Sequence, residues 1–173
     1  RKHNEPNGEN NRDGADFNNS WNCGIEGKTR KPQIVTLRKR MIKNAIFLLM
    51  MSKGTPLITA GDEFMRTQNG NNNPYCIDDE TTYVNWNLNS SNKEIYEFTK
   101  EMIKLRKDSL NVILQREFSM LDRQKIGYPD MSYHQEEAWK AELYSYNRHL
   151  GIMYSDFDSS NDEITLTYAA YNF

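Results

Sequence analysis

The stretch from Gly54 to Tyr75 constrains this chain most: a glycine that stops a helix, a short apolar segment, then a long run of amides and carboxylates. It reads Gly54-Thr55-Pro56-Leu57-Ile58-Thr59-Ala60-Gly61-Asp62-Glu63-Phe64-Met65-Arg66-Thr67-Gln68-Asn69-Gly70-Asn71-Asn72-Asn73-Pro74-Tyr75. Leu57 to Ala60 shows no alternation of apolar and polar residues, the pattern of a strand covered on both faces by helices in parallel α/β sheets and barrels. Ligands bind beyond the C-terminal ends of such strands, so the loop starts where a binding site is expected. Its side chains both donate and accept hydrogen bonds, as hydroxyl-rich ligands require.

The flanks of this stretch read as helices. Pro32 suits a first helical turn, and Ile34, Leu37, Met41, Ile42, Ala45 and Ile46 follow at helical spacing up to Ser52 and Gly54. The first half of this helix is amphipathic, with Arg38, Lys39, Arg40 and Lys43 outward. Its second half, Ala45 to Met51, is apolar all round and is expected to be buried. A second helix is predicted from about Asn92 to Lys107, with Ile95, Phe98, Met102, Ile103 and Leu105 inward. Helix, parallel-type strand, loop and helix make up the repeating unit of a (β/α) barrel.

Residues 1 to 31 are polar and punctuated by Gly8, Gly14, Gly24 and Gly27, an extended loop for which Phe17, Trp21 and Ile25 supply apolar anchors. Beyond Asp108 the texture changes to short β-branched and aromatic segments between turns: Val112-Ile113-Leu114, Met131 to His134, Leu150 to Tyr154 and Ile164 to Tyr171. The last alternates, with Ile164, Leu166, Tyr168 and Ala170 on one face and Thr165, Thr167, Ala169 and Tyr171 on the other. These segments predict the start of an antiparallel β domain.

Charge and cysteine content narrow the partners. With 22 basic against 24 acidic residues the net charge is -2, which gives no electrostatic footprint for nucleic acid or an anionic membrane surface and favours a neutral partner. No stretch approaches the roughly 20 apolar residues of a membrane span, the longest run being Ala45 to Met51. Cys23 and Cys76 have no Cys or His nearby at metal-ligand spacing and read as free thiols in a reducing, cytoplasmic compartment. The chain starts at Arg1 without Met and stops inside an alternating segment, so a piece of a longer protein is expected.

Several strings, in order, resemble the α-amylase superfamily of glycoside hydrolases, in its glycogen-debranching, isoamylase and type I pullulanase branch. They are Lys2-His3-Asn4-Glu5, Gly8-Glu9-Asn10-Asn11-Arg12-Asp13-Gly14, Ser20-Trp21-Asn22-Cys23-Gly24, Gly54-Thr55-Pro56, Ala60-Gly61-Asp62-Glu63-Phe64, Arg66-Thr67-Gln68 and Gly70-Asn71-Asn72-Asn73. The match is looser beyond residue 108, where Tyr133-His134, Ala138-Trp139 and Arg148-His149-Leu150 are similar to the family's C-terminal β domain. The resemblance implies an α/β fold in which residues 1–108 end a catalytic (β/α)8 TIM barrel, with its seventh helix, eighth strand and eighth helix. Residues 109–173 would begin a C-terminal antiparallel β-sandwich domain. It implies a parent enzyme that hydrolyses α-1,6-glucosidic branch points of glycogen, amylopectin or pullulan with retention. A trehalose-releasing or α-1,4-acting relative and a non-catalytic glucan-binding segment are the alternatives.

The family's three catalytic carboxylates lie on the fourth, fifth and seventh strands, which the resemblance places before Arg1. The residues agree: a retaining glycosidase needs two carboxyl groups about 5 to 5.5 Å apart, and adjacent Asp62 and Glu63 at a strand end point to opposite faces. Asp78, Asp79 and Glu80 form a solvated cluster. No catalytic residue is therefore expected in this chain, which by itself should be inactive.

Candidate substrate-binding residues are Trp21, Asp62, Glu63, Arg66, Asn71, Asn72, Asn73 and Tyr75. Asp62 or Glu63 either contacts a sugar hydroxyl or bonds loop amides or Arg66. Asn71, Asn72 and Asn73 either line a glucan subsite beside a stacking Tyr75 or bond within their own loop. Trp21 and Phe17 either stack on glucose rings or anchor the first loop. Asn10 to Gly14 is a poor calcium loop, because Glu9 and Ser20 hold the aligned positions and the bidentate glutamate is missing. No metal or cofactor is expected, and His3, His134 and His149 read as structural.

Overall fold

The computed structural model describes residues 4–14, 16–17, 19–87 and 90–173; Lys2 and His3 lie outside them. The chain divides into two compact units, Arg1–Leu110 and Asn111–Phe173.

In the first unit, helix α1 spans Pro32–Met51 with proline in its first turn, as the spacing predicts. A second helix, α2, spans Ser90–Leu105 and continues into a π-helical turn, Arg106–Leu110. Their contact buries Ile46, Met50, Ile95 and Met102, with Ile42, Phe47, Ile58, Met65 and Phe98 packed around them. Each fully buried aliphatic side chain contributes about 1.5–3 kcal/mol.

The inward stripe of α2 and the π-helical turn that continues it is Ile95, Thr99, Met102 and Arg106. Ile103 and Leu105, expected inward, are exposed, since each sits one helical step off that stripe. Within α1 the apolar half is covered only on one side: Ile46, Met50 and Met51 are buried, while Ala45 and Leu48 face out. Arg38 does not point to solvent but donates to the carbonyls of Asn22 at 2.9 Å and Gly27 at 2.8 Å. A guanidinium, rather than aromatic anchors, fixes that part of the first loop, because Phe17 and Trp21 are exposed.

The segment after α1 also departs from the strand expected at Leu57 to Ala60. Thr55 to Thr59 carries no strand, because a strand needs a hydrogen-bonded neighbour and no described segment pairs with it. Ile58 reaches the core, whereas Leu57 is 89% exposed.

The second unit opens with a short helix, α3, Asn111–Gln115, with Ile113 and Leu114 buried. Val112 to Leu114 was expected as a β segment; a short apolar run has no periodicity to separate strand from helix. Three antiparallel strands follow: β1 Met131–His134, β2 His149–Asp158 and β3 Glu163–Asn172, in that order across the sheet. The register pairs Met131 with Tyr154, and Gly151 with Ala170. Among the described residues this is one sheet and not a sandwich. On β3 the covered face is that of Ala169, with Thr167 and Tyr171 partly covered, and Ile164, Leu166 and Tyr168 are the exposed side. No helix among the described residues is long and apolar enough to cross a membrane.

Candidate functional site

The first loop and the loop after Gly61 clasp each other through side-chain amides. Asn71 Nδ2 donates to Asn7 Oδ1 at 2.9 Å, and Asn7 Nδ2 donates to the Asn73 carbonyl. Asn73 Nδ2 donates to Asp13 Oδ2 at 2.8 Å and lies 3.3 Å from Glu9 Oε2. Asn4, fully buried, ties the same strip together by donating Nδ2 to the Asp13 carbonyl at 2.7 Å and its own backbone N–H to Asn11 Oδ1 at 2.6 Å. Asparagine suits this work because one short side chain carries both donors and an acceptor.

Within the second loop Asn71 also shapes the backbone. Its Oδ1 accepts the Asn73 N–H at 2.9 Å, an Asx turn, and its carbonyl accepts Gln68 Nε2 at 2.7 Å. Asn72 lies against Gly14: a Cβ at Gly14, which has φ of 79°, would stand 2.9 Å from Asn72 Nδ2. The positive φ favours glycine at this position, and a side chain there would displace the Asn72 amide.

The carboxylates at the loop's start have separate fates. Gly61, with φ of 100°, leads into a 3-10 turn Asp62–Phe64, and its N–H donates to Glu63 Oε2 at 2.7 Å. The stem of Arg66 fills the space where a Cβ on Gly61 would sit, 2.9 Å from that position, and Arg66 Nη2 donates to the Thr81 carbonyl at 3.2 Å. Arg66 Nε is buried without a hydrogen-bond partner. Asp62 is exposed. Tyr75 and Trp21 are also exposed, at 79% and 61%. Asp78 accepts the Tyr83 hydroxyl at 2.8 Å, and that bond raises the Tyr83 pKa above its ordinary value.

Of the expected residues, then, the structure brings Asn71, Asn72 and Asn73 together with the first loop, turns Glu63 and Arg66 to local bonds, and leaves Asp62, Tyr75 and Trp21 free of the clasp. The clasp partners Asn4, Asn7, Glu9 and Asp13 were not among the expected site residues. Their signal in the sequence is that residues 4–14 share the amide and carboxylate composition of residues 66–75.

In the second unit Ser132 and His134 sit 2.8 Å apart through Oγ and Nε2. They do not form a nucleophile and base: His134 Nδ1 accepts the Trp139 N–H at 3.0 Å, so the ring proton resides on Nε2 and is donated to Ser132. Among the described residues no group of three or more His, Cys, Asp and Glu side chains is arranged to hold a metal ion. Cys23 is buried and Cys76 exposed, and both are free.

No family model matches the chain. Individual relatives do. It is 51% identical over 107 residues to a glycogen operon protein GlgX homolog of Mycobacterium tuberculosis, covering 62% of this chain and 15% of the relative. Identity to isoamylase SU1 of Zea mays is 39% over 137 residues, 76% of this chain and 17% of the relative. Isoamylase 3 of Oryza sativa subsp. japonica matches at 35% over 173 residues, 99% of this chain and 20% of the relative. These similarities first define a glycoside hydrolase lineage. More particularly, the chain belongs to the glycogen-debranching and isoamylase branch of the α-amylase superfamily. It spans 15 to 20% of the length of these relatives.

Proposed function

We propose that this chain is the part of a glycogen- or starch-debranching enzyme that forms one wall of its glucan cleft. In this reading residues 1–108 close a (β/α)8 barrel and residues 109–173 begin the C-terminal β domain. The intact enzyme hydrolyses α-1,6 branch linkages of glycogen, amylopectin or pullulan by a double displacement with retention, in the cytoplasm or another compartment that stores glucan. The nucleophile and the acid come from outside this chain, which alone is inactive.

The supporting observation is that the match covering 99% of the chain, to a relative named isoamylase 3, runs through both halves of the asparagine clasp. The clasp bonds Asn71 and Asn73 to the first loop and leaves the ring of Tyr75, two positions on, exposed, a stacking surface close in sequence to hydrogen-bonding groups. Trp21, Asp62 and Arg66 belong to the same proposed wall, Arg66 by positioning the turn at Gly61. Initial rates of the full-length enzyme on pullulan and on linear amylose test this reading. Faster attack on pullulan supports it; preference for amylose points to an α-1,4-acting relative instead.

A further inference from the structure

A second feature, independent of the clasp, lies where α1 passes α2. A cleft of about 540 Å³ is lined by Lys39, Arg40, Lys43 and Glu94 above the rings of Phe47 and Phe98, which pack onto the buried core. Glu94 bridges Lys39 and Lys43 at 2.6 Å to each. The side chains of Lys39 and Lys43 are 20% and 31% exposed, and Glu94 between them is 46% exposed. Lys43 Nζ also lies 5.5 Å from the centroid of the Phe98 ring. Three cations and one carboxylate line the cleft, and Arg40 among them is exposed.

We propose that this cleft is an anion site that takes a phosphate monoester carried on a ring or other apolar body. The phosphate displaces Glu94 from Lys39 and Lys43 and adds Arg40. A phosphate brings up to two negative charges and three acceptor oxygens, against one charge and two oxygens for the carboxylate it replaces. The body of the ligand lies on Phe47 and Phe98. Glu94 acts as an internal stand-in that keeps the lysines paired when no ligand is bound, and therefore as a competitor.

The full-length protein is titrated at low ionic strength and pH 7.5 with inorganic phosphate, phenyl phosphate and phenol, followed by calorimetry. Saturable binding of both phosphates is expected, with phenyl phosphate tighter and phenol not bound. Glu94→Gln removes the competitor and should tighten phosphate binding by about fivefold, the effect of one unit charge at contact distance in water. Lys39→Ala combined with Lys43→Ala should weaken it by about tenfold or more. Loss of folding does not produce opposite signs, so the pair separates binding from stability. Absence of saturable phosphate binding by the unaltered protein, unchanged affinity in the lysine variant, or equal or weaker affinity in Glu94→Gln would overturn the proposal.

Discussion

Asn71 and Asn7, separated by 64 positions along the chain, meet side chain to side chain at 2.9 Å, and through that bond the two polar loops of the first unit hold one another. Asn71 is 8% exposed, so the amide it presents has no ready water to replace Asn7.

The two asparagines should therefore act as a unit. Asn71→Ala and Asn7→Ala should each destabilise the full-length protein by about 1–3 kcal/mol, because each leaves a covered partner unsatisfied. The double variant should cost clearly less than the two singles added. Denaturant unfolding of the four proteins measures the coupling; strict additivity would show that the contact carries nothing.

Tyr75 is 79% exposed and lies outside the core of the first unit. Tyr75→Ala should leave the unfolding midpoint within about 0.5 kcal/mol of the unaltered protein, as exposed substitutions do, while raising KM for branched glucan. Asn161→Ala, in the turn between β2 and β3, serves as the control with unchanged kinetics. Equal kinetics for both variants would remove Tyr75 from the cleft.

Arg106 closes the end of α1. Its guanidinium donates to the carbonyls of Met50, Ser52 and Gly54, the Ser52 bond being 2.8 Å, and so satisfies acceptors that a helix end leaves open. Arg106→Met should destabilise by about 2–4 kcal/mol, with Arg106→Lys intermediate because an ammonium lacks the planar fork. Thermal unfolding at neutral pH reads the ranking.

Hydrogen bonds from Lys39 and Lys43 hold the Glu94 carboxyl at about 2, below its ordinary 4.5. A depressed carboxylate pKa contributes stability that is fully present above the unfolded value and is lost as pH falls through the folded one. The stability difference between the unaltered protein and Glu94→Gln should accordingly be constant from pH 7 to about pH 5 and shrink between about 4.5 and 2. Solvent screening keeps the difference small, since Glu94 is largely exposed. Denaturant titrations across that range give the answer, and a difference that grows on acidification would refute the pairing.

Local signals in the sequence were enough for α1, whose ends are marked by Pro32 and Gly54, and for the β segments around Met131, Leu150 and Ile164. They failed where a partner distant in sequence decides the outcome. Leu57 to Ala60 is apolar enough for a buried strand but has no described neighbour to bond. Alternation along β3 was legible, yet which face is covered depends on what packs there, and it is the face of Ala169. Asn71 to Asn73 stood out by composition, whereas Asn7, Glu9 and Asp13 became their partners only through folding, since bonds across 60 or more positions leave no periodicity. Ser132 and His134 suggest chemistry by type alone, and the Trp139 N–H on the imidazole removes it.

The most direct test of the debranching assignment follows the anomeric protons of amylopectin by NMR during digestion with the full-length enzyme. With a retaining debranching enzyme the α-1,6 signal falls while the α-1,4 signal holds, and newly released reducing ends appear first as the α anomer. A falling α-1,4 signal at constant α-1,6, or reducing ends appearing first as the β anomer, would contradict the assignment.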